Sequence, residues 1–308
     1  MSALLSRLSE KALLIADGAW GTELAKRGLE PGEAPEKWNL ERPDEVRAVA
    51  AAYVEAGSDV LLTNTFGGSP FKLAKVGIDA VDEVNRRGVE LSVEAAAGKA
   101  LVLADIGPSG EFMEPLGTLS RDALIAGFTA QTQALLAGNP DGFIIETMTD
   151  LGEATAVMEA VRRLSELPVV VTMTFTKGPK GYATMMGVTP ETAAHELEAA
   201  GADVVGANCG SGIVDIIEVA KLMRPATDLP LWFKPNAGLP KLVDGETVFR
   251  ETPEEMAAHF EELIAAGAGI VGGCCGTTPE HIRLFVAGCC GTTPEHIRQL
   301  RSQADRLT

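Results

Sequence analysis

A single-domain (β/α)8 TIM barrel is the fold class predicted for this chain of 308 residues, and three observations predict it. Short apolar runs alternate with helix-patterned stretches from end to end. The runs are rich in Val, Ile and Leu without alternation, as parallel strands covered on both faces should be. The polar residues that could carry chemistry fall just after the runs, and in this barrel active sites lie at the C-terminal ends of the strands. A doubly wound open sheet is the runner-up. No shift in composition and no linker marks a second domain, so residues 1–308 are read as one.

In order, the apolar runs are Ala12–Ala16, Val60–Thr65, Leu101–Ile106, Gly142–Glu146, Val169–Phe175, Val204–Asn208, Leu231–Pro235 and Gly269–Gly273. Between them, apolar spacings of three and four predict helices over Asp44–Ala56, Asp79–Ala97, Ser120–Ala137, Asp150–Leu164, Thr189–Ala200, Gly212–Leu222 and Pro253–Ala266. Ala56-Gly57 and Ala200-Gly201 supply the glycine that helix C-caps favour. The strand ends then collect Asp17-Gly18-Ala19-Trp20, Thr63-Asn64-Thr65, Asp105-Ile106-Gly107, Glu146-Thr147, Asn208-Cys209-Gly210, Lys234-Pro235-Asn236 and Cys274-Cys275.

Composition narrows the function. Apolar residues make up 46% of the chain and the net charge is −17. This describes a well-cored globular protein and argues against nucleic acid or an anionic membrane as partner. No stretch reads as a signal peptide or a membrane span. The five cysteines are therefore expected to be reduced thiols of a cytoplasmic protein, with metal binding or catalysis favoured over a disulfide framework.

Three of those thiols, Cys209, Cys274 and Cys275, end predicted strands and would face one mouth. Three thiolates with one open position suit Zn²⁺, which is soft enough for sulfur and keeps an exchangeable fourth site when catalytic. Adjacent cysteines need backbone freedom to aim at one ion, and Gly272, Gly273 and Gly276 flank them. The plain alternative is a pair of buried structural cysteines or a vicinal disulfide. The segment GCCGTTPEHIR at 273–283 recurs unchanged at 288–298. Only the first copy follows a convincing strand, so the metal is assigned there and Cys289 and Cys290 are left as a spare pair. His195, His259, His281 and His296 sit in helical patterns without ligand spacing and are read as packing or surface residues.

DGAWGTEL, AGSDVLLTNTFGGS, DIGPSGEFMEPLG, FIIETMTDLGEA, GANCGSG, FKPNAGLP and GIVGGCCGTTPEHI, in this order, resemble the homocysteine S-methyltransferase family. The nearest likeness is to the homocysteine-binding module of cobalamin-dependent methionine synthase. Trp20 and the duplicated tail depart from the pattern. The resemblance implies a barrel holding zinc through Cys209, Cys274 and Cys275, with homocysteine as fourth ligand. It implies that the amino acid end is held by the strand-end Asp17-Gly18 motif and by Glu146. It also implies methionine as product and methylcobalamin as donor, on a separate corrinoid protein or module. Direct transfer from S-methylmethionine, S-adenosylmethionine or a betaine-like donor is the alternative, and a non-catalytic zinc- and homocysteine-binding barrel is another.

The residues support that chemistry in their own terms. A free alkyl thiol is mostly protonated at neutral pH, and metal coordination removes the proton. Three protein thiolates leave the ion electron-rich, so a bound substrate thiolate stays nucleophilic. Asp17 and Glu146 are candidates for a substrate ammonium, and the backbone N–H groups of Gly18 and Ala19 for a carboxylate. Asn64 is a candidate for orienting polar groups at the mouth. The side-chain oxygen of Asn236 is the candidate for the open zinc position before substrate arrives. Asp150 is read as a helix cap, and Lys177 to Tyr182 as a mobile loop over the mouth.

Overall fold

The computed structural model describes residues 2–243 and 246–290. Eight parallel strands carry the architecture: β1 (Leu14–Ile15), β2 (Val60–Leu62), β3 (Leu101–Ile106), β4 (Gly142–Met148), β5 (Val169–Met173), β6 (Val204–Cys209), β7 (Leu231–Pro235) and β8 (Ala268–Val271). Their order in the sheet is β1-β8-β7-β6-β5-β4-β3-β2. A parallel bridge between Ala16 and Val60 joins the two ends of that order. The result is the predicted (β/α)8 barrel, with each strand where an apolar run was read.

Strand alternation sorts the side chains into two apolar layers. Leu14, Val60, Leu62, Leu101, Leu103, Ile144, Val170, Val204, Trp232 and Ile270 form one cluster inside the barrel. Their sequence neighbours, including Ile15, Leu61, Val102, Ile145, Val171, Val205, Phe233 and Val271, belong to the cluster between strands and helices. This is why the runs are apolar at every position. Each fully buried aliphatic residue contributes roughly 1.5–3 kcal/mol of transfer free energy.

The helices that cover the strands are α1 (Pro43–Ala56), α2 (Val81–Ala96), α3 (Arg121–Leu136), α4 (Leu151–Arg162), α5 (Pro190–Ala199), α6 (Ile213–Met223), α7 in two pieces (Pro253–Ala258 and Phe260–Ala265), and α8 (Pro279–Cys290). Local chemistry sets their ends. α1 opens on a proline and stops at Gly57, whose φ of 100° only glycine adopts readily. Asp150 caps α4 by accepting the Gly152 and Glu153 N–H groups.

Three features differ from expectation. A helix not foreseen, Ala3–Lys11, lies ahead of β1; its Leu4 joins the interior cluster, with Leu5 and Leu8 packed against it. Lys11 and Arg7 tie this helix to Asp59. The predicted Pro253–Ala266 helix is interrupted at His259, the C-cap of one piece and the N-cap of the next. The stretch read as a mobile loop, Lys177 to Tyr182, falls in an antiparallel hairpin of Thr176–Gly178 with Gly181–Ala183. Tyr182 anchors it by donating to Asp215 at 2.6 Å. The backbone of Gly288–Cys290, the start of the second GCCGTTPEHIR copy, completes α8; residues 291–298, His296 included, lie outside the described residues.

Candidate metal centre and substrate cavity

The thiols of Cys209, Cys274 and Cys275 meet at the C-terminal end of the barrel, with their sulfurs all within 4.8 Å of one another. A tetrahedral zinc with Zn–S bonds of about 2.3 Å separates its sulfurs by about 3.8 Å, so the three fit one ion after small rotations. The backbone builds this cluster in two pieces. Cys209 ends β6 with a left-handed φ of 61°, a conformation that costs a non-glycine residue of order 1–3 kcal/mol and concentrates at functional sites. Cys274 and Cys275 lie on the loop after β8, stitched to β7 by Cys274 N–H to Pro235 O (2.7 Å) and Ala237 N–H to Cys275 O (2.9 Å).

The glycines around the pair serve different purposes. Gly276 has φ of 82° and supplies the turn. At Gly272 a Cβ would stand 2.6 Å from Asp17 O, and at Gly273 2.3 Å from Thr277 Oγ1. Those two are needed for close approach, not for positive φ. The thiols share protons unevenly. Hydrogen bonds from Cys274 and Cys275, with Gly210 N–H and Asn236 Nδ2, hold the Cys209 thiol far below its usual value. Cys274 and Cys275, as donors to Cys209, are pushed up.

Asn208 frames the cluster. Its Oδ1 accepts from Thr147 N–H (2.8 Å) and Thr172 Oγ1 (2.7 Å), and its Nδ2 donates to Thr147 Oγ1 (2.7 Å) and toward Cys274 Sγ (3.8 Å). The ends of β4, β5 and β6 are thereby locked together beneath the sulfurs. Asn236 donates Nδ2 to Gly210 O at 3.0 Å and toward Cys209 Sγ at 3.7 Å. Its Oδ1 is buried with no partner, as an oxygen available to an ion would be.

A cavity of about 590 Å³ opens over the thiols and is lined by Gly18, Ala19, Trp20, Asn64, Asp105, Glu146, Thr147 and Lys234, among others. This is ample for a small substrate and part of a second reactant. Glu146 is 7% exposed and its Oε2 has no partner. Burial, together with Asp17 and Cys209, outweighs Lys234 and raises its carboxyl to about 7.

Asp17 is differently placed. Its Oδ1 accepts from Lys234 Nζ at 2.7 Å, and its Oδ2 from Leu62 N–H (2.8 Å) and Trp20 Nε1 (2.9 Å). Burial alone would lower the Lys234 ammonium, but Asp17 and Glu146 hold it above its ordinary value. The Ala19 N–H donates to Thr277 Oγ1 at 3.1 Å. Gly18 is glycine because a Cβ there would lie 2.7 Å from Tyr53 Oη. Asn64 spends Nδ2 on Pro35 O (2.8 Å) and Asn39 Oδ1 (2.9 Å), which pins the segment 35–41 against the mouth.

The predicted residues Cys209, Cys274, Cys275, Asn236, Asp17, Gly18, Ala19, Asn64 and Glu146 thus gather around one mouth. Lys234, Asn208 and Asp105 had been given no role. Their signal was strand parity, since Asp105 and Lys234 lie two residues, and Asn208 four, beyond an interior residue of the same strand. His195 is exposed, and His281 is buried between Thr278 and Glu251; neither is part of the sulfur cluster.

A barrel whose C-terminal mouth brings together three thiols able to hold one metal ion, beneath a cavity sized for a small substrate, has the layout of an enzyme active site. Residues 14–287 match the family model described as homocysteine S-methyltransferase. The chain belongs to the homocysteine S-methyltransferase family, a family of methyltransferases. Among curated relatives it is 32% identical to methionine synthase of Mycobacterium leprae, over 91% of this chain and 24% of that protein. It is 31% identical to methionine synthase of Mycobacterium tuberculosis, over 91% of this chain and 25% of that one. The chain therefore spans about a quarter of the length of these relatives. Among solved structures, the metallated homocysteine methyltransferase MmuM of Escherichia coli superposes with a TM-score of 0.78 at 24% identity, covering 92% of this chain and 99% of that one.

Proposed function

We propose that this barrel binds zinc through Cys209, Cys274 and Cys275 and methylates homocysteine to methionine. The observation that carries the reading is the convergence of the three thiols at the floor of the cavity, within reach of one ion. Held by these thiols, zinc would supply the positive charge that favours the nucleophilic thiolate form of homocysteine over its thiol. Asn236 Oδ1, buried without a partner, would be the further ligand for such an ion before substrate arrives. Glu146 receives the substrate ammonium, and the strained Cys209 backbone and the Asn208 hydrogen bonds keep the sulfur cluster from rearranging.

The methyl donor in this reading is methylcobalamin, delivered by a separate corrinoid protein or module. Support comes from the methionine synthases, of which this chain spans a quarter. The surface agrees: Val76, Phe112, Leu116, Met185, Leu239 and Leu242 are exposed large apolar side chains, all in segments that follow barrel strands and so ring the mouth. A small zwitterion needs no such rim, whereas a docking protein uses one.

Zinc content and proton release on adding homocysteine, under reducing conditions, test the proposal. The expected result is about one zinc per chain and a released proton, both lost in Cys274→Ser and both kept in Cys289→Ser. Absence of zinc from the wild-type protein would sink the mechanism; loss in Cys289→Ser alone would move the site to the second copy.

A further inference from the structure

Cys209, Cys274 and Cys275 line the same cavity that would receive the substrate sulfur and the methyl donor, and each is partly exposed. An electrophilic methyl group entering there meets several thiolates, of which one belongs to the substrate. A ligand thiolate alkylated in its place becomes a neutral thioether and is a poorer metal ligand. The site therefore needs a chemical reason to spare its own sulfurs, and two buried asparagines supply one. Asn208 is 1% exposed and Asn236 3%. Asn208 Nδ2 donates toward Cys274 Sγ at 3.8 Å, and Asn236 Nδ2 toward Cys209 Sγ at 3.7 Å.

Neither amide can turn round. The Thr147 N–H is a donor only, so the atom 2.8 Å from it must be Asn208 Oδ1. The Asn208 amino group is then left to Thr147 Oγ1 at 2.7 Å and to Cys274 Sγ. Thr172 Oγ1 donates to the second lone pair of Oδ1 at 2.7 Å, so every hydrogen-bonding position of this amide is filled. Thr147 itself has a left-handed φ of 63°, a genuine outlier for a β-branched residue, and Asn208 clamps both its N–H and its hydroxyl. Gly210 O is an acceptor only, so the atom 3.0 Å from it must be Asn236 Nδ2, which also faces Cys209. Cys275 differs. Its sulfur has the other two thiols as partners, and among the described residues no side-chain amide donates to it.

An N–H donor stabilises the charge of a thiolate and lowers its nucleophilicity along with its basicity. A hydrogen bond to a charged group is worth about tenfold to hundredfold in an equilibrium. Thiolate reactivity follows basicity with a slope of about one half, which gives about threefold to tenfold in rate. We propose that Asn208 and Asn236 are positioning residues that damp the Cys274 and Cys209 thiolates and so direct alkylation to the substrate sulfur, leaving Cys275 as the least protected of the three ligands. This rests on the zinc reading above, since metal-bound thiols are deprotonated. In each alkylation a sulfur lone pair forms the new S–C bond while the bond from that carbon to its leaving group breaks. The leaving group departs with the electron pair, and no proton moves.

The test is alkylation of the zinc-loaded protein by iodomethane, read cysteine by cysteine in peptide mass spectra; neither homocysteine nor a corrinoid is needed. In wild type Cys275 should react first, with Cys274 and Cys209 about threefold to tenfold slower. Asn208→Ala should bring Cys274 up to the rate of Cys275 and leave Cys209 where it was; Asn236→Ala should do the reverse. In the cobalt-loaded protein, Asn208→Ala should move the sulfur-to-metal charge-transfer band to longer wavelength, because the undamped sulfur gives up an electron more easily. A merely structural role would raise all three rates together and leave the band in place, and that result overturns the proposal. So does reaction of Cys274 ahead of Cys275 in wild type, which requires no variant and keeps the test open should Asn208→Ala not fold. A wild-type protein that binds no zinc removes the zinc reading itself, and this inference with it.

Discussion

The lower and upper layers of the barrel interior stand on the same strands and follow the same alternation, yet they are opposites in chemistry. Below, Leu103, Ile144 and Trp232 close the barrel with apolar volume, and Leu4 of the N-terminal helix joins them. Two residues further along the same three strands come Asp105, Glu146 and Lys234, equally buried but charged. One repeat of the pleat therefore separates residues that fill the barrel from residues that line the candidate site. The difference teaches that burial alone does not label a core. Charge does: the lower layer's side chains are uncharged, with Trp232 Nε1 a lone unpartnered donor, whereas the upper layer has one complete ion pair and two carboxyl oxygens left open.

The sharpest way to break this contrast is to remove the one complete pair. Lys234→Met leaves Asp17 charged and fully enclosed. Breaking a buried pair in this manner costs about 3–5 kcal/mol, so the urea midpoint should fall steeply. Adding Asp17→Asn should return part of the loss, because the stranded charge is then gone. If Lys234→Met unfolds no more easily than wild type, the pair is not the structural element its burial implies. One layer lower, Leu103→Ala removes apolar volume from a site 0% exposed and should cost about 2–5 kcal/mol. Zinc content and homocysteine affinity of that variant should match wild type once it is folded. A change in either would show the two layers to be coupled.

The same contrast explains what the sequence could and could not reveal. The apolar runs marked every barrel strand because both faces of each are covered, and the thiols stood out because NCG and GGCCG end two of those runs. Which strand-end polar groups meet was another matter. Asp17 and Lys234 are 217 residues apart, and nothing in either segment names the other. With Lys234 placed, Asp17 ceases to be a free carboxylate; without it, the strand-end Asp looks available for substrate. Asp105 was within reach, since counting two from Leu103 puts it inside the barrel. The N-terminal helix was missed because it is short, and what docks it is tertiary, the barrel floor and Asp59. His259 interrupts α7 without a proline or glycine to signal it.

The smallest expected effect concerns a residue that belongs to neither layer. His281 on α8 is buried, with Nδ1 facing Thr278 N–H at 3.1 Å and Nε2 facing Glu251 O at 3.2 Å. Only a neutral ring protonated at Nε2 satisfies both contacts, since protonating Nδ1 would set two donors against each other. Burial is the main force lowering its pKa below 6.5; Lys26 acts in the same direction, while the Glu251 carbonyl, Glu254 and Glu280 oppose it. A lowered folded-state value means that the unfolded chain binds the proton first as pH falls. The contribution of His281 to stability is thus complete above the unfolded value of 6.5 and is lost as pH drops below it toward the folded value. Buried carboxyls with raised values, such as Glu146 and Glu36, act in the opposite sense, losing stability as pH rises, so the wild-type profile alone mixes both signs. Subtracting the profile of His281→Gln isolates one. The urea midpoint of wild type should fall relative to His281→Gln between about pH 7.5 and pH 5.5. Parallel profiles would mean that the ring protonates without disturbing Thr278, and that α8 is held against the mouth by its apolar contacts alone.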